Sequence, residues 1–375
     1  MSAWLFWAAM ALVAWTYAGY ALLVALLARR HRAADAPADG ARFDVTVVIA
    51  AYNEAARIAA RVRDVLAQDY PRERLRVIVV SDGSTDGTAQ AAAVDDARVR
   101  VIDLRRNAGK AAALNAAVAR AQTALVVFTD VRQRFAPRAL RRLVAPFADP
   151  RVGAVSGELE IVADSDMLPA PAGLYWKLES ALRAGEARLG WLHGVSGAIH
   201  AVRRELYRAI PPGTLLDDMW IPLHVAFAGR RVAMARDAVA RDVASAGSAE
   251  EYRRKLRTLA GNWQLIARLP RLLDPRRNPL FFPWFSHKLL RLIAPWALLA
   301  ALVSSAFAAG PFYRFAFAAQ CLAYAAAAFA LLAPRLAARV PVLGAAGSFV
   351  MLNAAALLAL PASLARDPRA LWRKH

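Results

Sequence analysis

Long apolar runs near both ends of the chain, with a charged interval between them, restrict this sequence more than any other feature. From Ala3 to Leu27 almost every residue is apolar, with Trp4, Trp7, Trp15, Tyr17 and Tyr20 among them, and Arg29, Arg30, His31 and Arg32 close the run. That length meets the ~20 residues a bilayer requires of a helix. A cleaved signal peptide fits less well, because the basic residues come after the run and none precedes it. Three further runs cover roughly 292–310, 315–333 and 340–361, each again near spanning length. Just before them, Leu280–Arg291 mixes aromatic and basic side chains in the manner of an interfacial helix. A hydrophobic share of 58% and a mean hydropathy of +0.31 agree with a membrane component.

The basic residues after the first run place the next part of the chain on the cytoplasmic side. Four crossings then put the tail outside, whereas Arg366, Arg369, Arg373 and Lys374 favour the inside, so the last crossing stays open. The net charge of +20 suits nucleic acid, anionic lipid or a phosphorylated substrate, since all three attract Lys and Arg alike. Nucleic acid is set aside, because there is no zinc-ligand spacing and no aromatic RNA-binding signature. Cys321 is the single cysteine, which excludes a disulfide framework. No acidic or basic side chain lies within the apolar runs, where a transporter's pathway would place one.

Between Phe43 and about Asp242 apolar strands alternate with amphipathic helices, which predicts repeated βα units and a mainly parallel sheet. The strands are Val45–Ala50, Arg76–Val80, Arg98–Asp103 and Ala124–Thr129; the third alternates as an edge strand does. Ile58, Val62, Val65 and Leu66 form one apolar helical face. In such a sheet ligands bind at the carboxyl ends of the strands. There the sequence reads Ala51-Tyr52-Asn53-Glu54, then Ser81-Asp82-Gly83-Ser84-Thr85-Asp86-Gly87, then Asn107-Ala108-Gly109-Lys110, then Asp130. Taken singly each has a plain structural explanation: Asn53 and Asp86 suit helix N-caps, and the glycines suit a tight turn.

Taken together, in this order at successive strand ends, they resemble the nucleotide-sugar-binding half of family 2 glycosyltransferases. The resemblance implies an α/β fold of the GT-A type, Rossmann-like and mainly parallel, flanked by transmembrane helices, and a chemistry of inverting sugar transfer. It also implies a nucleotide pocket lined by Tyr52, Asn53, Glu54, Asp82 and Lys110. A carboxylate such as Asp82 can accept the imide N–H of a uracil, and Lys110 at a helix start can offset diphosphate charge. In the family an Asp-x-Asp motif opens at the position of Asp130, but this chain reads Asp130-Val131-Arg132. Either Asp130 holds Mg²⁺ or Mn²⁺ with the phosphates completing the shell, the preferred alternative, or Arg132 supplies part of the positive charge.

A second block, Val195-Ser196-Gly197-Ala198-Ile199-His200, has small residues against which an acceptor sugar can lie, Ser196 and Gly197 foremost. Asp217-Asp218 resembles the family's Glu-Asp pair, with Asp217 in place of the Glu. Direct displacement needs a carboxylate to take the acceptor's proton; Asp218 is expected to do so and Asp217 to orient it. Two acids at a helix start also complement the dipole without any catalytic role. Arg254–Trp263 stands where processive members carry Gln-x-x-Arg-Trp. Arg257 agrees and suits a diphosphate, but Arg254 and Thr258 replace the Gln and Trp, which weighs against processive polymerisation. Trp263 is either an acceptor-stacking ring or an interfacial anchor.

The expected organisation is an N-terminal transmembrane helix with basic flank at 1–32, a cytoplasmic catalytic domain at 43–270, an interfacial helix at 280–291, transmembrane helices at 292–365 and a basic tail at 366–375. The expected setting is a cell membrane of the bacterial inner-membrane type, where a nucleotide-sugar donor meets a saccharide or lipid-linked acceptor; the resemblance favours a UDP-sugar. The competing expectation is a non-catalytic assembly subunit that retains the fold, for which the Arg132 and Arg254 departures speak.

Overall fold

The computed structural model describes residues 1–31, 40–162, 174–243, 248–333, 337 and 340–364. Most of the linker at 33–42, Arg32 of the basic flank, and the tail at 366–375 lie outside the described residues. The chain divides into two compact units. One comprises Val24–Ala244 and Asp274–Phe281, the other Met1–Leu23, Ser245–Leu273 and Phe282–His375.

The first unit is built on an eight-stranded sheet. Its strands are β1 (Val45–Ala51), β2 (Leu75–Asp82), β3 (Val99–Leu104), β4 (Leu125–Thr129), β5 (Arg134–Phe135), β6 (Val152–Val162), β7 (His200–Arg203) and β8 (Arg231–Val243), in the spatial order β3-β2-β1-β4-β7-β6-β8-β5. The strands β1, β2 and β4 are nearly continuous runs of Val, Ile, Leu and Phe because both faces are covered. The alternating β3 lies at the sheet edge, as its pattern predicts. The sheet is mixed: β1, β2, β3 and β4 pair in parallel, and β6 pairs in parallel with β8, but β7 runs antiparallel to both β4 and β6. The expected mainly parallel sheet therefore holds, interrupted by β7, which is antiparallel to both of its neighbours. The return strand β7 is short and comes after a loop, and nothing in its hydrophobic period encodes direction.

The first helix of the chain, α1 (Ser2–Ala28), is apolar throughout and precedes the sheet. Within the sheet unit α2 (Ala55–Leu66) turns Ile58, Val62 and Val65 into the core, with Leu66 partly buried against it. Next come α3 (Thr88–Ala92), α4 (Lys110–Val118), α5 (Ala139–Val144), α6 (Leu174–Leu189) and α7 (Asp217–Phe227). A core cluster of Val, Ile, Leu, Ala and Phe draws on β1, β2, β4, β6, β7, β8, α2 and α5, so the rim where the strands end sits on a rigid floor.

The other unit holds apolar helices. Among the described residues, four helices are long and apolar enough to cross a membrane: α1, α9 (Phe281–Phe307), α10 (Pro311–Leu332) and the segment Val342–Leu364 of α11 (Pro341–Leu364). Phe6 and Ala9 of α1 pack on Ala297 and Ala301 of α9. The expected interfacial stretch at 280–291 is not a separate helix; it continues through a π turn at Phe285–Leu289 into the adjoining span. The helix α8 (Ser248–Arg268), placed with the catalytic domain by sequence, clusters with these helices and packs along α11.

Candidate functional site

Three turns at the carboxyl ends of β1, β2 and β4, together with the start of α4, build one rim. After β1 the chain turns sharply through Asn53, whose φ of 52° is the only positive value at a non-glycine residue among those described. Hydrogen bonds with the turn after β2 hold that conformation. The Asn53 amide N–H donates to Ser84 Oγ at 3.1 Å, and the Thr85 N–H donates to Asn53 Oδ1 at 3.0 Å. Asn53 is thus a turn residue and not the helix cap; Glu54 occupies the cap position of α2. The α2 N-terminus is satisfied from the neighbouring turn instead, the Glu54 N–H donating to Thr88 Oγ1 at 2.9 Å and the Ala55 N–H to Asp86 Oδ2 at 3.0 Å. Hydrogen bonds from the Thr88 hydroxyl and the Ala55 amide hold the Asp86 carboxyl below the usual range. Tyr52 is 50% exposed beside this turn.

Asp82, at the end of β2, is 4% exposed. Its two oxygens accept the N–H groups of Ala108 and Gly109, both at 2.8 Å, and its carbonyl accepts Asn107 Nδ2 at 3.2 Å. The sequence pattern offers this carboxylate to a base; its partners here are the backbone of the next turn. Gly83 lets the two turns approach so closely: φ is +65°, and a Cβ there would stand 2.2 Å from the Asn107 nitrogen.

The clamp places Lys110, the first residue of α4. Its Nζ lies 3.0 Å from Asp130 Oδ1 and 3.2 Å from Asp217 Oδ2. Burial works against the charged amine, yet Asp130, Asp217 and Asp218 outweigh it and raise the Lys110 pKa above its ordinary value. Acids from the end of β4 and from the first turn of α7, far apart in sequence, therefore meet at one ammonium. Asp218 stands beside the 195–200 turn: its carbonyl accepts the Val195 N–H at 2.9 Å, and a Cβ on Gly197 would lie 3.7 Å from Asp218 Oδ2. Ser196 is fixed by its N–H bond to Ser156 Oγ at 2.9 Å.

Several residues at this site carry no sequence signal. Arg61 lies on the apolar face of α2, fully buried, its guanidinium 4.1 Å from the centre of the Phe135 ring and paired with Asp64. Burial pushes its pKa down to about 10. Arg61 Nη2 donates to Thr129 Oγ1 at 2.7 Å, and that hydroxyl donates to the Ala198 carbonyl at 2.7 Å, linking α2, β4 and the 195–200 turn. His200 stacks on Phe128, with ring centres 5.0 Å apart, and its Nδ1 faces the Ser196 carbonyl at 2.9 Å. Burial drives the imidazole down to about 4, so it is neutral, and the carbonyl assigns the proton to Nδ1.

Arg132 Nη2 donates to Asp242 Oδ2 at 3.1 Å, on β8, and so is paired with an acid the sequence does not single out. Arg257 and Trp263 both lie half-buried on α8, in the unit of apolar helices, at a spacing that does not share a helix face. As a metal ligand, Asp130 fits a hard divalent cation: its side chain is 42% exposed, and Mg²⁺ typically uses one or two carboxylates with substrate phosphates completing the shell. The second acid of an Asp-x-Asp pair is absent, so the fit is one-sided.

Known proteins share this architecture. The profile of Glycosyl transferase family 2 matches residues 46–210. Among curated proteins, the succinoglycan biosynthesis protein ExoO of Rhizobium meliloti is 40% identical over 102 residues, 27% of this chain and 29% of that protein. An N-acetylglucosaminyltransferase of Sinorhizobium fredii is 30% identical over 237 residues, covering 58% of this chain and 57% of its own. The chain thus matches little more than half the length of these relatives at most. A solved mannosyltransferase, PcManGT from Pyrobaculum calidifontis in complex with GDP-Man and Mn²⁺, superposes over 96% of this chain and 99% of its own, with TM-score 0.70 and 27% identity. With the strand-end turns, the mixed sheet and these matches in agreement, the chain carries a family 2 glycosyltransferase domain of GT-A fold, accompanied among the described residues by four helices long and apolar enough to span a membrane.

Proposed function

We propose that the protein transfers a sugar from a nucleotide-diphosphate donor to a saccharide or lipid-linked acceptor at a membrane surface, with inversion at the anomeric carbon. The product would enter a cell-surface polysaccharide or glycolipid, in keeping with the succinoglycan-related relative. The observation that carries this reading is the meeting of Asp130 and Asp217 at Lys110 Nζ, with Asp218 beside Gly197. Basic and acidic groups at one strand-end rim suit a reaction in which a phosphorylated leaving group departs as a hydroxyl loses its proton.

In this mechanism Tyr52 and the Asn53–Glu54 turn receive the nucleoside, and Asp82 holds the turn that presents Lys110 to the diphosphate. The carboxylate of Asp218 accepts the proton of the acceptor hydroxyl, whose oxygen bonds to the anomeric carbon. The bond from that carbon to the diphosphate oxygen breaks, and the nucleoside diphosphate leaves with the electron pair. Asp217, tied to Lys110, orients the α7 start; Ser196 and Gly197 offer a close approach for the acceptor, and Arg257 and Trp263 are assigned to diphosphate and acceptor through resemblance alone. A divalent cation held by Asp130, Mg²⁺ or Mn²⁺, would stabilise the charge developing on the leaving group.

The basic residues Arg29 and Arg30 after the first span support a cytoplasmic domain. The resemblance favours UDP; the neighbour bound to GDP-Man, which covers nearly the whole chain, favours GDP. A donor screen on the full chain in lipid, with UDP-, GDP- and TDP-sugars and with or without Mg²⁺ or Mn²⁺, tests the proposal. Release of nucleoside diphosphate from one donor, with an inverted anomeric signal in the product, is expected. Absence of release from every donor and acceptor mixture would remove the enzymatic reading.

A further inference from the structure

Where an Asp-x-Asp pair would place its second acid, this chain has Arg132, and the fold supplies an acid for it from elsewhere. Because β7 is antiparallel to β4 and to β6, and β8 is parallel to β6, the strands β4 and β8 run in the same direction. Their carboxyl ends open on one rim, which sets Asp242 of β8 at the edge that carries Asp130. The side chain of Asp242 is 7% exposed, and its Oδ2 accepts two bonds, from Arg132 Nη2 at 3.1 Å and from the buried Gln133 Nε2 at 2.9 Å. The Arg132 side chain is 44% exposed. In this pair the acid is the buried member and the guanidinium the open one, so the face turned to solvent is cationic.

The pairing has a physical consequence. A guanidinium has five N–H donors in a planar fork that matches phosphate oxygens, and the bond to Asp242 uses one of them. An arginine free on a surface gives up rotamer freedom when it binds an anion; one already tethered to a buried carboxylate gives up less. We infer that Asp242, with Gln133, is a positioning residue that fixes Arg132 as a resident cation for the donor's diphosphate. The chain then neutralises by itself part of the charge that a divalent ion at Asp130 would otherwise carry alone. This inference rests on the nucleotide-sugar reading of the rim.

Isothermal titration of UDP and of GDP into the full chain in lipid nanodiscs, once with excess EDTA and once with Mn²⁺, tests it. The readout is the ratio of the two dissociation constants, which a purely structural defect would not move. The unaltered protein is expected to bind one nucleotide in EDTA as well as in Mn²⁺. Asp242→Asn and Arg132→Ala are each expected to weaken binding in EDTA by about tenfold or more and to change binding in Mn²⁺ far less. Arg132→Asp is expected to make binding depend on Mn²⁺. Should Asp242→Asn fail to fold, Arg132→Lys, which keeps the charge and loses the fork, is expected to weaken the EDTA value in the same direction. Equal losses in both media, or none in either, would overturn the inference, as would an unaltered protein that binds only with Mn²⁺. Failure to bind either nucleotide in either medium would instead overturn the donor reading, and this inference with it.

Discussion

Asp218 and Lys110 are the side chains on which the proposed chemistry turns, and they differ in what their removal does. Asp218 is the partly exposed acid of its pair, next to Gly197. Replacing it with Asn keeps the shape and removes the base. Asp218→Asn is expected to lower sugar transfer by about 100-fold or more while the dissociation constant for the nucleoside diphosphate stays unchanged. A variant with full activity would assign the proton to another group. Lys110 serves two acids at once, so Lys110→Met leaves a cluster of carboxylates repelling each other and the diphosphate. It is expected to weaken nucleotide binding in EDTA and in Mn²⁺ alike, measured by the same titration.

At the scale of elements, the rim depends on turns that brace one another. Gly83 permits the 81–87 turn to touch the 106–107 backbone, and no side chain fits between them. Gly83→Ala is expected to cost about 2 kcal/mol or more, read as a lowered thermal midpoint, with Lys110 displaced and nucleotide affinity reduced. The hydroxyl of Thr129 joins Arg61 on α2 to the Ala198 carbonyl. Thr129→Val keeps the volume and strands both partners. The expected loss is about 1–3 kcal/mol, and Thr129→Ser, which restores the hydroxyl, should recover most of it. Arg61 is not readable in the sequence, because it sits in a helical stripe where the period asks for an apolar residue.

For the molecule as a whole, the acid limit of folding falls partly on His200. Its pKa is lowered from 6.5 to about 4 by burial, so the folded state stays neutral where the unfolded chain takes up a proton. Between those values the unfolded state binds more protons, and stability falls as the pH falls. The contribution is fully present above pH 6.5, shrinks by up to about 3 kcal/mol on reaching pH 4, and then levels off. His200→Phe, tracked by thermal unfolding in detergent from pH 7 to pH 4, is expected to flatten that slope. An unchanged slope would place the acid sensitivity elsewhere.

Hydrophobic period and length determined on their own where the apolar helices and the parallel strands lie, because both signals are local: a bilayer sets a span, and a pleat or a helical turn sets a repeat. The strand-end residues Asn53, Asp82, Lys110 and Asp130 were legible for the same reason, being polar where apolar runs stop. Tertiary structure alone decided the direction of β7, the clamp of Asp82 on the Lys110 turn, the bridge from Lys110 to Asp217, and the pairing of Arg132 with Asp242. Each of these joins residues remote in the chain, and a carboxylate or guanidinium considered alone carries no record of the partner that folding will bring to it.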